Sequence, residues 1–260
     1  MSSMVAMPVS ESARPLHTDG TGGVLFLHGF TGSPRSLRPW AERTASEGYR
    51  VSLPRLPGHG TTWRELARTS WQDWYAVAER ELLSLRRASG EPVFVAALSM
   101  GGALALRLAE RQPDAVAALI LVNPAMSASN RLLPLAGAMK HVIASQASIA
   151  NDIAKPGVLE GAYDRTPVAA AHELTRLWAD IRPYLDLVTC PIMLMTSSVD
   201  HVVPASSAEL IRRQVSSLDI AEVTLARSYH VATLDHDADL IADRSLAFIA
   251  SHRPDAAPRP

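Results

Sequence analysis

The sequence has little cysteine, no excess of basic over acidic residues and no long apolar run. Cys190 is the single cysteine among 260 residues, which excludes an internal disulfide framework and favours a buried structural thiol. Because 25 basic residues face 26 acidic ones, the formal net charge is -1 and no nucleic-acid partner is expected. No apolar run approaches the roughly 18 residues of a membrane-spanning helix. The N-terminal stretch MSSMVAMPVSESARP lacks the basic and apolar parts of a secretory signal, so a cytoplasmic location is expected.

The chain does have the length and the apolar content for a large core. Hydrophobic residues make up 47% of the 260 residues, which suits one α/β domain that carries an insertion. Apolar runs such as GVLFL, PVFVAAL, VAALILV and PIMLM do not alternate with polar residues, so they predict parallel strands covered on both faces. Helix-like stretches separate these runs; in the longest, Ser70 and Asp73 predict a capping box and Gly90 predicts the helix end. This order predicts an α/β fold with a mostly parallel sheet and helices on both faces.

The alternation of strands and helices stops after Pro124. The next 60 or so residues contain helix-like segments and no convincing strand, which predicts an insertion of small helices and loops. We call this segment, residues 125–187, the insertion. The predicted division is an irregular N-terminal segment (1–20), an α/β core (21–124 and 188–252), the helical insertion (125–187) and a disordered tail (253–260).

Ser99 occupies the junction between the strand run PVFVAAL and a helix-like run that continues to Arg111. A serine on such a sharp strand-to-helix turn projects its hydroxyl away from the backbone, as the nucleophile of a G-x-S-x-G elbow does. Ala97 stands where that pattern has its first glycine, but the position requires only a small residue, and Ala97 and Gly101 are both small. The stretch AALSMGG therefore predicts a nucleophile at Ser99, with a structural serine in a tight turn as the alternative.

Two backbone N–H groups are predicted beside Ser99. Met100 opens the following helix, so its N–H has no partner within the helix. In LHGFTG, Gly29 permits a turn that directs the N–H of Phe30 toward the same crevice, where the loops after parallel strands converge. Together, Phe30 and Met100 predict an oxyanion hole, which stabilises the negative charge that grows on a carbonyl oxygen in the transition state.

The acid and the base are expected after the serine, in the order aspartate and then histidine. Asp200 follows the strand run PIMLMTSS, and His230 follows EVTLARS, so both stand at strand ends. His230 would take the proton of the serine and Asp200 would orient His230. His28 precedes the serine and is expected to be structural, while the side chain of His201 should diverge from that of its neighbour Asp200. No spacing among the nine histidines and one cysteine predicts a metal site, and no cofactor is expected.

Five stretches together resemble one known family. LHGFTGSPRSLRPWAE, LPRLPGHGTTW, ALSMGGALAL, SSVDHVVP and SYHVATLD look like the α/β-hydrolase fold, and more narrowly like bacterial monoacylglycerol lipases and small thermostable carboxylesterases. The resemblance runs from about residue 22 to residue 252 and implies a small helical cap at the insertion. Its catalytic pattern maps onto Ser99, Asp200 and His230, with oxyanion donors at Phe30 and Met100.

The resemblance also implies a substrate contact within the insertion. GAYDRTP is similar to a family segment whose acidic residue faces the polar head of the substrate, and that position is Asp164. A solvated surface charge is the alternative for Asp164. The sequence departs from the family at Ala97, where glycine is usual, and through most of the insertion, which leaves the preferred acyl length open.

These observations predict a serine hydrolase that cleaves carboxylic esters through an acyl-enzyme. The resemblance implies a small amphiphilic ester substrate such as a monoacylglycerol, which would be cleaved to a fatty acid and glycerol. The alternatives are a short-chain carboxylesterase or thioesterase with the same triad, an acyltransferase, and a non-catalytic binding module on the same scaffold. The stretch RLLPLAGAMKHVIASQ is apolar enough to cover an acyl chain or contact a lipid surface, or it packs on the core.

Overall fold

A seven-stranded sheet forms the centre of the protein. The computed structural model describes residues 11–130, 133–149 and 151–253. The strands of the described residues are β1 (Leu16–His17), β2 (Thr21–Leu27), β3 (Tyr49–Leu53), β4 (Val93–Leu98), β5 (Val116–Val122), β6 (Ser145–Ala147), β7 (Arg165–Pro167), β8 (Ile192–Ser197) and β9 (Ile220–Leu225). The order in the seven-stranded sheet is β1-β3-β2-β4-β5-β8-β9, and β6 and β7 form a separate pair. In the large sheet β1 is antiparallel to β3, and every other neighbouring pair is parallel.

Helices cover both faces of this sheet. The α-helices of the described residues are α1 (Arg38–Ser46), α2 (Trp63–Leu66), α3 (Trp71–Ser89), α4 (Met100–Arg111), α5 (Ala136–Met139), α6 (Val168–Ile181), α7 (Ser206–Gln214) and α8 (Ala238–Ser251). Helix α3 begins with the predicted capping box, in which the Ser70 hydroxyl accepts from the Asp73 N–H and the Asp73 carboxylate accepts from the Ser70 N–H. It ends at Gly90, whose φ of 73° is left-handed.

The continuous apolar runs are explained by two hydrophobic clusters, one on each face of the sheet. In β4 every residue is buried. Val95 and Ala97 pack into the cluster that contains α3, α4 and α6, whereas Phe94 and Ala96 pack into the cluster that contains α1 and α8. Because successive side chains of a strand point to opposite faces, both must be apolar when both faces are covered. The predicted α/β architecture, a mostly parallel sheet with helices on both faces, is confirmed.

Three short elements differ from the sequence-based expectation. The segment predicted to be irregular contains β1, which pairs with β3. The insertion, for which no strand was predicted, contains a two-stranded antiparallel sheet of β6 and β7, with Ser145 opposite Pro167. These strands are two or three residues long, so they are too short to show a period-two pattern. Arg253, placed in the predicted tail, lies 3.6 Å from the Glu91 carboxylate.

The other predicted boundaries are not decided by these elements. Residues 1–10 and 254–260 lie outside the described residues, and with them most of the predicted irregular segment and tail. The division into core and insertion stays a prediction. Within the described residues, no helix combines the length and the apolar character needed to cross a membrane.

Candidate active site

The turn at Ser99 is held in a left-handed conformation between β4 and α4. Its φ is 56°, a value that non-glycine residues adopt rarely and usually where the surroundings enforce it. The Ser99 N–H donates to the Val122 carbonyl at 3.0 Å, and the Ser99 carbonyl accepts from the Gly102 N–H at 2.9 Å. A Cβ at Gly101 would lie 2.0 Å from the Leu27 carbonyl oxygen, so only glycine fits there.

Ala97 is the position at which the sequence departs from the elbow pattern. Its methyl group is fully buried in the cluster beside α3 and α4, where it has room. This turn therefore requires glycine at Gly101, two positions after the serine. Two positions before the serine it accommodates the methyl group of Ala97.

The structure brings Ser99, His230 and Asp200 together from three different strand ends. The Ser99 Oγ lies 2.9 Å from His230 Nε2, and His230 Nδ1 lies 2.8 Å from Asp200 Oδ2. With the Nδ1 proton donated to the carboxylate, Nε2 is left to accept the serine proton. All three side chains are largely buried. This is the geometry of a nucleophile, a general base and an orienting acid.

Asp200 is kept ionised in this arrangement. Burial alone would raise the pKa of Asp200, but the hydrogen bond and the charge of His230 outweigh it, so the pKa lies below its ordinary value. The second carboxylate oxygen accepts from the N–H groups of Val202 and Val203 at 2.8 and 2.7 Å. The acid is therefore fixed by the turn that follows it as well as by the histidine.

The turn after β2 lies against the nucleophile. A Cβ at Gly29 would lie 3.4 Å from the Ser99 Cβ, so the peptide that carries the Phe30 N–H passes next to the serine. The N–H of Met100 lies at the N-terminus of α4, directly after the serine. Both predicted oxyanion donors are thus placed beside Ser99, and their role stays a prediction.

His28 and His201 occupy different places from the triad histidine. The Nδ1 of His28 donates to the Gly29 carbonyl and its Nε2 accepts from the Leu56 N–H, at 3.0 and 3.2 Å. Burial lowers the pKa of His28 to about 4, so it is neutral. His201 is 54% exposed, and its Nδ1 lies 2.7 Å from Asp152 Oδ1. Both side chains are engaged elsewhere, as the sequence predicted.

A cavity of about 160 Å³ opens beside Ser99 and His230. Core and insertion build it together, and its apolar wall includes Leu98, Leu133, Leu174, Trp178, Val202 and Val203. The acidic residues that line it are Asp152 and Glu160, both from the insertion. A cavity with an apolar wall and two acidic side chains suits a substrate that has an apolar and a polar part.

Glu160, and not Asp164, is the acidic residue that the GAYDRTP region brings to the cavity. Glu160 is only 7% exposed, and a Cβ at Gly32 would lie 2.7 Å from its Oε1. Burial raises the pKa of Glu160 to about 7, although the charge of His230 acts in the opposite direction. Asp164 is exposed and does not line the cavity, so the substrate contact inferred for it is not supported by its position. Resemblance located the segment but could not tell which of its acids faces inward.

Sequence reasoning also missed residues that hold the triad through backbone contacts. Asn123, directly after β5, donates from Nδ2 to the His230 carbonyl at 2.8 Å. The Asp152 carboxylate accepts from the His230 N–H at 3.2 Å. For Asn123, the sequence offers only the dipeptide NP after a strand run, which predicts a turn but not a contact with the histidine. In the structure, backbone strain marks the surroundings of the triad. The described non-glycine residues with a positive φ all lie in its loops or next to them: Thr31, Ser99, Asn123 and Asn151.

Comparison with known proteins shows which family the chain belongs to. The family model described as serine aminopeptidase, S33, matches residues 19–237. The chain belongs to this family. It is 42% identical over 246 residues to a thermostable monoacylglycerol lipase of Bacillus sp. (strain H-257), covering 94% of this chain and 97% of that protein. It is 25% identical over 222 residues to a carboxylesterase of Bacillus subtilis (strain 168), covering 85% and 89%.

Among solved structures, this member of the S33 family superposes on a metagenome-derived lipolytic enzyme. The TM-score is 0.91 at 40% sequence identity, and the match covers 94% of this chain and 100% of the other. The resemblance seen in the motifs is therefore confirmed, and the fold is that of the α/β-hydrolases.

Proposed function

We propose that this protein hydrolyses carboxylic esters through an acyl-enzyme, with monoacylglycerols as its substrates. The observation that carries the proposal is the continuous hydrogen-bond chain from Ser99 through His230 to Asp200 at the floor of a largely apolar cavity. The similarity to a monoacylglycerol lipase across nearly the whole chain supports the choice of substrate.

The first half of the reaction acylates the serine. His230 Nε2 takes the proton from Ser99 Oγ as the oxygen attacks the ester carbonyl carbon. The negative charge that develops on the carbonyl oxygen is stabilised by the N–H groups of Phe30 and Met100. His230 then protonates the leaving alcohol, the carbon–oxygen ester bond breaks and the acyl group remains on Ser99.

The second half of the reaction releases the fatty acid from Ser99. Water replaces the alcohol, His230 takes one of its protons, and the resulting attack forms a second oxyanion at the same donors. The proton then returns to Ser99 Oγ as the fatty acid leaves. Asp200 stays ionised throughout and stabilises the imidazolium that forms in each half; its lowered pKa supports that role.

The cavity suggests how the two parts of a monoacylglycerol are held. The apolar wall, with Leu174 and Trp178 from α6, suits the acyl chain. Glu160 is buried in the same cavity and suits the hydroxyls of the glycerol, because a carboxyl group can accept and, when protonated, also donate. We therefore propose Glu160 for the contact that the sequence had placed at Asp164.

The insertion also presents apolar side chains to solvent, and we propose that they make transient contact with a lipid surface. Val142 is 88% exposed, and Ile149 is both exposed and part of the cavity lining, so the apolar surface reaches the substrate site. Among the described residues of the insertion, the exposed large apolar ones are Leu135, Val142, Ile143, Ile149, Leu159, Tyr184 and Leu187. Co-sedimentation with phosphatidylcholine vesicles, lost in Val142→Ser, would test this contact.

The second candidate is a short-chain carboxylesterase or thioesterase with the same triad, which the similarity to a carboxylesterase supports. A panel of monoacylglycerols of increasing acyl length, short aryl esters and acyl thioesters separates the two. Preference for a monoacylglycerol supports the proposal, whereas preference for the aryl esters or thioesters would replace it.

The nucleophile is tested separately with a fluorophosphonate probe. Wild-type protein should be labelled at Ser99, and Ser99→Ala should be neither labelled nor active while keeping the same melting temperature. Absence of labelling in folded wild-type protein would refute the proposed hydrolase and favour a non-catalytic binding module.

A further inference from the structure

The Asp152 carboxylate of the insertion contacts the loops that carry Asp200 and His230. Asp152 Oδ2 accepts from the backbone N–H groups of His230 and His201, each at 3.2 Å. Its Oδ1 lies 2.7 Å from His201 Nδ1. The Asp152 backbone carbonyl accepts from the Val231 N–H at 3.0 Å. One residue outside the sheet therefore contacts both the loop of the acid and the loop of the base.

The peptide groups of His230 are held from two sides. Its carbonyl accepts from Asn123 Nδ2 at 2.8 Å, and the Asn123 Oδ1 accepts from the Ser197 N–H at 2.8 Å, so this side is fixed by β5 and β8. Its N–H is satisfied by Asp152, which belongs to the insertion. The Ser197 Oγ also donates to the Tyr229 carbonyl at 2.8 Å, so the core holds the carbonyl groups on both sides of His230 and the insertion holds its N–H.

We propose that Asp152 is a positioning residue for the triad, so that the insertion completes the catalytic geometry as well as covering the substrate. This inference rests on the proposed function, in which His230 is the general base. Asp152 holds the loop that carries His230 in register with the loop that carries Asp200, and so keeps Nε2 within reach of Ser99 Oγ.

A carboxylate is suited to this position for a geometric reason. Its two oxygens accept several hydrogen bonds at once, whereas an amide offers one accepting oxygen and an NH₂ group that would face further donors. Since a displacement of about 1 Å in a catalytic group costs up to about 10²-fold in rate, losing the contact should affect turnover strongly. Asn151, with its left-handed φ of 59°, turns the chain directly before Asp152 and accepts from the Glu160 N–H at 2.7 Å.

The competing interpretation is that Asp152 contacts substrate, because it also lines the cavity. The two roles predict different kinetics. A positioning residue changes kcat and the reactivity of the serine, whereas a substrate contact changes mainly KM. The rate of fluorophosphonate labelling separates them further, since it reports activation of Ser99 with a small probe.

The test compares Asp152→Ala, Asp152→Asn and a control, Tyr163→Phe, in the full chain. The Tyr163 hydroxyl also ties the insertion to the core, donating to the Gly58 carbonyl at 2.7 Å and accepting from the Thr61 N–H at 2.8 Å, away from the loops of Asp200 and His230. Asp152→Ala should lower kcat and the labelling rate about 10- to 100-fold with KM within about 2-fold. Asp152→Asn should recover part of the loss, and Tyr163→Phe should lower only the melting temperature.

Each other outcome decides against the proposal. A change in KM alone assigns Asp152 to substrate binding, and wild-type labelling of Asp152→Ala removes the positioning role while leaving the proposed hydrolase intact. If neither Asp152 variant folds, the carboxylate is a determinant of folding instead. Wild-type protein that is not labelled would refute the hydrolase itself, which is a distinct result.

Discussion

The core and the insertion contribute to the site in different ways. In the core, Ser99, Asp200 and His230 project from the turns after β4, β8 and β9, so their side chains meet because parallel strands end at one edge of the sheet. In the insertion, Asp152 and Glu160 lie in irregular segments, and Asp152 acts through the backbone of the core loops. The core thus supplies the groups that make and break bonds, and the insertion adjusts their placement and the shape of the cavity.

The largest expected effect separates two histidines that follow neighbouring strands of the core. His230→Ala should lower kcat by about 10⁶-fold, because it removes the base that activates Ser99. His201→Ala should keep most of the activity, since the His201 side chain is half-exposed and its imidazole bonds to Asp152 and not to Ser99. Aryl-ester hydrolysis and fluorophosphonate labelling measure both variants. Loss of activity in His201→Ala with retention in His230→Ala would reverse the assignment of the base.

A smaller effect is expected within the insertion, from two acids four positions apart. Glu160→Gln should weaken the use of monoacylglycerol relative to a simple aryl ester about 10-fold, because a buried group that bonds the glycerol hydroxyls loses an accepting oxygen. Asp164→Asn is the matched control and should leave this ratio unchanged, since Asp164 is exposed and outside the cavity. The ratio of kcat/KM for the two substrates is the measurement. The reverse pattern would restore the assignment made from the resemblance.

The same contrast separates what could be predicted from what could not. Strongly apolar strands such as β4 and β5 locate the sheet, and catalytic side chains at strand ends stand beside those runs in the sequence. The order of Ser99, Asp200 and His230 could therefore be read from the chain before their distances were known. The capping box of α3 was also predictable, because its hydrogen bonds join residues three positions apart.

The insertion lacked such signals. Strands β6 and β7 are three residues each, below the length at which a period appears, and no local pattern distinguishes Glu160 from Asp164. Asp152 and Asn123 could not be predicted for a different reason. They bond to backbone groups of His230, which lies 78 and 107 residues away in the chain. Because every residue has such backbone groups, no sequence pattern indicates which of them a side chain will bind. Contacts of this kind are fixed by tertiary structure alone.

The smallest expected effect concerns stability, and it tests whether Glu160 is as deeply buried as its surroundings indicate. Its pKa is about 7 in the folded protein, against an ordinary value of 4.5. The folded state therefore keeps this proton up to a higher pH than the unfolded state does. The stabilisation is fully present below about pH 4.5 and is lost as the pH rises to 7, by on the order of 3 kcal/mol at most.

Urea unfolding of wild-type protein and Glu160→Gln at pH 5 and pH 8 measures this difference. Glutamine does not titrate, so the variant should gain free energy of unfolding relative to wild type between the two pH values. Glu110, whose pKa burial also raises to about 7, is present in both proteins and cancels in the comparison. If Glu160→Gln instead follows the wild-type pH dependence, the carboxyl group is hydrated in solution and the insertion closes over the cavity less tightly than the core closes around the triad.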